Sequence, residues 1–220
     1  MIYEYEKPYY EQNMPGDENR VLLRGWVNEP IHIDHQTENG AVYATKLRVE
    51  RISGVVDLIP LYIKESKLVF LNVRPKVGDF MEVEGCFHSK HVYSEQNKRI
   101  LKNYVFVAKI AFSSLTLPCL NEIHLTGIVL RCGKARSTVG GRHLVDFLLK
   151  VQRKTHRFSK IPCIIWGEHR AAIMAEAGEG AKLELVGRIQ SRDYPKIEDG
   201  VENIRTVYEV SVTDFEIKDV

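Results

Sequence analysis

The second half of the chain alternates apolar and polar residues in short runs, and such runs predict strands. Ile123, Leu125 and Val129 alternate with His124, Thr126 and Ile128, which predicts a half-buried strand with Gly127 inside it. Gly140 and Gly141 supply a turn, and residues 144–151 (LVDFLLKV) predict the next strand. Residues 161–166 (IPCIIW) predict a third, with Pro162 near its start, where a missing N–H is tolerated. The run 168–177 (EHRAAIMAEA) is rich in helix formers, opens on an acid that suits a helix N-terminus and stops at Gly178. Residues 182–188 and 206–215 predict two more strands, the last with Tyr208, Val210 and Val212 on one face.

The first half follows the same order at one offset. Asn19 and Asn121, Gly25 and Gly127, Val49 and Val151, Arg51 and Arg153, and Pro60 and Pro162 are each 102 residues apart (127 − 25). Gly78 and Gly180, Glu82 and Glu184, Gly85 and Gly187, and Ser89 and Ser191 keep that spacing (187 − 85). Chance does not hold a single offset through such a set, so two copies of one domain are expected. The first copy's helix is predicted over residues 65–73, ahead of Arg74 and Pro75. Three strands, a helix and two strands is the order of a five-stranded OB barrel with its helix between the third and fourth strands. Glycines inside the first and fourth strands suit the bends of a small barrel. The expected fold is therefore all-β with short helices, as two tandem five-stranded OB-fold barrels. Residues 1–18 form a tail or arm carrying Tyr3, Tyr5, Tyr9 and Tyr10 among Glu4, Glu6 and Glu11. Residues 19–112 form the first domain and 121–217 the second; the linker 113–120 is short and not Gly-rich, so the domains are expected to dock.

Composition narrows the classes. Each half of the 220 residues is long enough to bury a core, and the hydrophobic (44%) and charged (27%) fractions are ordinary for a soluble protein. No apolar run approaches the roughly 20 residues needed to span a bilayer, and the N-terminus lacks a signal-peptide core, so a cytoplasmic location is expected with no membrane partner. Cys86, Cys119, Cys132 and Cys163 show no CxxC spacing and no nearby His pair, and read as buried free thiols rather than a metal site; no cofactor is expected. His32, Ile33, Asp34 and His35, beside Pro30, read as a loop of solvated side chains. There are no paired carboxylates placed with an arginine, no P-loop and no nucleophile elbow, so neither an enzyme nor a small-molecule substrate is expected.

The net charge of +2 says little about partners, but its distribution says more. Arg131, Lys134, Arg136 and Arg142 fall on the second domain's first hairpin, and Lys150, Arg153, Lys154, Arg157 and Lys160 on its second strand and the loop after it. Between Arg131 and Arg170 the only acids are Asp146 and Glu168, which predicts a nucleic-acid face. By spacing alone Trp166 reads equally as a core residue and as a stacking platform. Tyr194 lies after a strand, flanked by Arg192 and Lys196, where a core role is disfavoured. In the first copy Lys64 stands where Trp166 does and Val92 where Tyr194 does, with Tyr93 next to it. That copy keeps Arg48, Arg51, Lys90, Lys98, Arg99 and Lys102 but adds Glu50, Asp57 and Glu95; it reads either as a weak phosphate binder or as an assembly surface. Trp26 reads equally as core and as functional.

Residues 121–127 (NEIHLTG) resemble the opening strand of bacterial single-stranded DNA-binding proteins, and 161–167 (IPCIIWG) that family's third strand with its terminal aromatic and glycine. Residues 180–188 (GAKLELVGR), 191–194 (SRDY) and 208–210 (YEV) resemble its closing block, so the likeness spans about 119–217 and reaches the first half through the repeat. In that family bases stack on a few aromatics across the barrel, which the resemblance implies for Trp166 and Tyr194. Two further stacking positions fall near Thr155 and Lys160 and lack an aromatic, with Phe158 or His156 as substitutes. A single strand needs cations for its phosphates and flat faces for its bases, each stacked base contributing about 1–3 kcal/mol. The expected contacts are therefore Trp166, Tyr194 and Phe158 with the nine cations above and Arg192, joined in the first copy by Arg51, Lys64 and Tyr93. The expected function is sequence-independent single-stranded DNA binding in replication, repair or recombination. The alternative is a replication or primosome accessory that uses its OB domains mainly for protein contacts. The departures in the first copy favour the alternative, as does the ending at 214–220 (DFEIKDV), which lacks the family's linker and acidic tip. The family's usual four domains per homotetramer imply a homodimer for a chain with two.

Overall fold

The computed structural model describes residues 17–93, 99–153, 157–198 and 201–218, the side chains of 99, 194–198 and 201–203 excepted. The first half runs β1 (Asn19–Val27), β2 (His32–Thr37), β3 (Gly40–Glu50), β4 (Val56–Lys64), α1 (Glu65–Val69), β5 (Phe80–Tyr93) and β6 (Arg99–Phe112). The second runs β7 (Leu120–Cys132), β8 (Arg136–Ser137), β9 (His143–Gln152), β10 (Phe158–Trp166), α2 (Glu168–Ala177), β11 (Lys182–Glu198) and β12 (Val201–Lys218).

Pairing closes each half on itself. β1 pairs antiparallel with β3 and β5, β5 with β6, β6 parallel with β4, and β4 with β3. β7, β11, β12, β10 and β9 repeat that circuit, with β10 and β12 the parallel pair. A closed ring leaves few free edges. Strand alternation turns Leu23, Leu47, Ile59, Leu61, Val83 and Phe87 into the first ring, and Leu125, Leu149, Ile161, Ile165, Leu185 and Ile189 into the second, all fully buried or nearly so.

The repeated residues have matching tasks. β5 slips by one residue against β6 between Glu84 and Gly85, and β11 against β12 between Val186 and Gly187. A Cβ on Gly85 would stand 2.4 Å from the Phe106 carbonyl oxygen, and one on Gly187 2.5 Å from that of Ser211, so only glycine lets the strands close there. Asn19 lies opposite Phe87 where β1 leaves β5, and its amide replaces the lost ladder bonds. Its Nδ2 donates to the Phe87 carbonyl (2.9 Å) and its Oδ1 accepts from the Phe87 N–H (2.8 Å). Asn121 does the same to Ile189, at 2.7 and 2.9 Å. β1 and β7 then pair antiparallel, Asn19 with Leu125, Val21 with Ile123 and Leu23 with Asn121. Positions 102 apart exchange places across this ladder, so the rings join about an approximate two-fold at Val21 and Ile123 into one 12-stranded sheet.

Some expectations are corrected. Residues 32–35, expected as a loop, lie in β2, an exposed strand held by backbone pairing to β3 rather than by burial. The first helix stops at Val69, not 73: only Leu68 is buried in it, Phe70 and Val73 are exposed, and Leu71 alone of residues 70–73 packs, in part, on the core. Pro162 is the fifth residue of β10, not near its start. It is tolerated because parallel pairing with β12 begins one residue later, at Cys163. β11 and β12 are much longer than 182–188 and 206–215, because they extend as a two-stranded ribbon beyond the ring. Gly85 faces Val107 and Gly187 faces Val212, so the final strands align at an offset of 105 (212 − 107), not 102. None of the four cysteines is in a disulfide; Cys163 is buried, whereas Cys86, Cys119 and Cys132, expected to be buried, are only partly so. Among the described residues no helix is long and apolar enough to cross a membrane, and no group of three or more His, Cys, Asp or Glu could hold a metal ion.

Candidate nucleic-acid interface

On β10, alternation sends Ile161, Cys163 and Ile165 into the core and leaves Phe158, Lys160 and Trp166 on the opposite, outward face. Lys160 stands directly across from Lys150 of β9. Phe158, 44% exposed, has the Lys150 Nζ 5.2 Å and the Lys160 Nζ 5.9 Å from its ring centre. Like charges facing one another across two strands are unfavourable unless an anion joins them. Among the described residues neither lysine has an ion-pair partner. At the far end of the same face the Arg142 guanidinium lies 5.2 Å from the Trp166 ring, and Gly167, at φ 101°, turns the chain from that tryptophan into α2.

The other expected contacts divide. Arg131, Lys134 and Arg157 are exposed. Arg136 is tied to Asp146, and Arg192 lies 3.5 Å from the buried Glu209. Tyr93 is exposed at the end of β5. Arg51 and Arg153 do not join the outward face, because both are held in the seam between the rings. Arg51 donates twice to the fully buried Asp57 (2.7 and 2.6 Å), whose Oδ1 also accepts the Ser191 N–H (2.9 Å). Arg153 donates to the Ser159 hydroxyl and to the Ser89 carbonyl, both at 2.8 Å. The Tyr194 side chain, Lys154, Thr155, His156 and the N-terminal tyrosines lie outside what the structure describes. Trp26 packs on Phe80 with ring centres 4.7 Å apart, and Arg48 sits over it.

Sequence reasoning missed a second cluster, on the first ring. A groove of about 300 Å³ is lined by Tyr62, Lys64, Lys90, Tyr104 and Phe106, with His35, Thr37 and Asn39 from the β2–β3 hairpin. Tyr62 meets Tyr104 edge-on at 4.5 Å, and His88 stacks on Phe106 at 5.9 Å. Lys90 and Lys102 face one another across β5 and β6, with Nζ atoms 4.4 and 5.5 Å from the Tyr62 ring, and Lys64 lies 5.7 Å from Phe106. Burial, and then the charge of Arg153, push the His88 pKa down to about 3, so its ring is neutral. Burial alone would raise the Asp34 carboxyl, but bonds from His35 and Tyr62 and the nearby Lys90 and Lys102 hold it below the usual carboxylate range. The signal for this groove was period-two spacing: His88 and Lys90 on β5, Tyr62 and Lys64 on β4, and Lys102, Tyr104 and Phe106 on β6.

These features define a protein of closed β-rings with aromatic and cationic outer faces. Residues 120–218 match the single-strand binding protein family. The whole chain superposes on the wild-type single-stranded DNA binding protein from Thermus aquaticus with a TM-score of 0.74 at 19% identity, covering 93% of this chain and 95% of that one. A deletion mutant of the same Thermus aquaticus protein gives a TM-score of 0.75 at 19% identity, over 94% and 97% of the two chains. No curated protein sequence matches the chain. The second half is thus a domain of the single-strand binding protein family, and the chain as a whole has the OB-type fold of the Thermus aquaticus protein.

Proposed function

We propose that the chain binds single-stranded DNA without sequence preference, residues 19–112 and 121–217 acting as two tandem OB barrels joined by 113–120. The observation that carries this reading is the outward face of β10, where Phe158 lies between two facing lysines and Trp166 lies under Arg142. Flat rings flanked by cations suit a polymer of bases and phosphates. Exposed Arg131, Lys134 and Arg157 extend that face, and Lys64 and Tyr93 supply first-half contacts. The protein serves replication, repair or recombination in the cytoplasm, as a homodimer that brings four barrels together; light scattering at twice the chain mass checks the assembly. The first copy's departures at Lys64 and Val92 favour the accessory alternative, while its groove of Tyr62, Tyr104 and Phe106 supports a binding role for that copy too.

Titration of the intact chain with oligo-dT, read by tryptophan fluorescence, tests this. Oligo-dT is expected to quench the emission, and Trp166→Ala to abolish most of the quench with an affinity loss of about tenfold, within the range for one stacked base. The affinity is expected to fall with salt at a log–log slope of about −0.7 per phosphate contact. An unchanged quench in Trp166→Ala would overturn the stacking role, and equal affinity for duplex DNA would overturn the single-strand reading.

A further inference from the structure

Asp34 is the extra residue of a bulge. In the β2–β3 ladder Ile33 faces Tyr43 and His35 faces Val42, so Asp34 has no partner in the register. A bulge re-aims a side chain, and here the carboxylate reaches toward the groove walls. Asp34 Oδ1 accepts from the Tyr62 hydroxyl at 3.0 Å, and that hydroxyl in turn accepts from the Lys102 Nζ at 3.0 Å. Asp34 Oδ2 lies 2.7 Å from His35 Nδ1 and 3.7 Å from the Lys90 Nζ. One carboxylate thus sits beside two facing lysines, next to a groove whose remaining wall is Tyr104, Phe106 and Lys64.

Resting on the single-strand reading, we propose that the first-ring groove takes one nucleotide unit of the bound strand, and that Asp34 occupies the seat of its phosphate until the strand displaces it. The groove's volume lies at the lower end for small-ligand clefts. Half-buried Tyr104 and Phe106 offer a flat wall to a base, while Lys90, Lys102 and the Tyr62 hydroxyl are donors a phosphate would use. The carboxylate competes for those donors, so it lowers the affinity of this unit and makes its engagement conditional on the rest of the strand being held.

The test is fluorescence anisotropy of labelled oligo-dT on the intact chain across a salt series, with circular dichroism melting of each variant. Asp34→Asn removes the competing charge and is expected to bind about fivefold tighter at low salt, the scale of one exposed ion pair. Its salt slope is expected to steepen by about 0.7 as one more phosphate is neutralised. The double variant Lys90→Gln and Lys102→Gln is expected to bind about tenfold more weakly, with a slope shallower by about 0.7 for the one phosphate seated there. Tyr62→Phe keeps the ring and the Asp34 charge but removes one donor of the phosphate seat, so it is expected to bind modestly more weakly, opposite in direction to Asp34→Asn. A merely structural Asp34 would give weaker binding in every variant. Equal or weaker binding by Asp34→Asn overturns the proposal. So does an unchanged slope in the double variant; Trp166→Ala then still reports whether the strand binds elsewhere. If the unaltered chain binds no oligo-dT, this proposal and the single-strand reading fail together.

Discussion

Each ring sets two lysines face to face across paired strands beside an aromatic ring, yet the two arrangements are not counterparts. In the second half the pair is Lys150 and Lys160 on β9 and β10, beside Phe158. In the first it is Lys90 and Lys102 on β5 and β6, beside Tyr62. The place of Lys150 and Lys160 is taken in the first ring by Arg48 and Leu58, and Tyr62 corresponds to Ile164. Across the groove the exchange is as complete. His88, Tyr104 and Phe106 give way to Gln190, Glu209 and Ser211, with Gln190 bonded to the buried Glu209 at 2.7 Å. A closed ring fixes its inward residues, because they must fill one core, but leaves every outward pair of strands open to new chemistry. A correspondence between copies therefore transfers a backbone and a core, not a binding surface.

The seam between the rings offers the sharpest break of that near-symmetry. Leu58 N–H donates to the Ser191 hydroxyl (3.4 Å) as Lys160 N–H donates to that of Ser89 (2.8 Å), one bond at each related site. The arginines differ: Arg51 holds a fully buried carboxylate, Asp57, while Arg153 holds the hydroxyl of Ser159. Removing one partner of a buried ion pair leaves the other uncompensated, so Asp57→Ala is expected to destabilise by about 3 kcal/mol. Ser159→Ala is expected to cost about 1 kcal/mol. At about 2–4 °C per kcal/mol for a chain of this size, calorimetry should separate the two melting temperatures clearly. Equal losses would show that the seam is symmetric in energy despite its chemistry. The asparagine clamps should behave oppositely. Asn19→Ala and Asn121→Ala each strand one backbone N–H and one carbonyl, at about 2 kcal/mol apiece. A difference well above 1 kcal/mol between them would mean the two ring ends are not equivalent.

The legible and illegible parts of the sequence divide along the same line. Core strands, the α2 boundaries and the paired glycines were readable, because burial imposes a period and a Cβ clash admits only one residue. Lys150 and Lys160 belong to a run of cations that clusters in sequence, whereas Phe158 between them in space entered only through the family resemblance. The Tyr62 groove was not, since its walls come from three strands, at residues 62–64, 90 and 104–106, and its aromatics have no counterparts in the copy that resembles a known family. Arg51 and Arg153 illustrate the converse. A cation counts toward a basic face in sequence, but only the seam geometry reveals that Asp57, Ser159 and Ser89 already hold these two.

The smallest expected effect isolates His88 from its counterpart Gln190. Its folded pKa of about 3 lies below the ordinary 6.5, so the folded protein refuses a proton that the unfolded chain accepts. The stability this implies is complete above pH 6.5 and is lost as pH falls from there toward 3. His88→Gln places the second ring's residue in the first and removes the titration. Between pH 7.5 and 5.5 the unaltered protein is expected to lose roughly 1 kcal/mol more than the variant, about 2–4 °C in melting temperature. Carboxylates shared by both proteins cancel in that difference, which leaves the histidine alone. Parallel melting curves over this range would mean that His88 accepts a proton in the folded state. The stacked contact with Phe106 would then carry a charge beside Arg153, and the groove's aromatic wall would be cationic rather than neutral at mildly acidic pH.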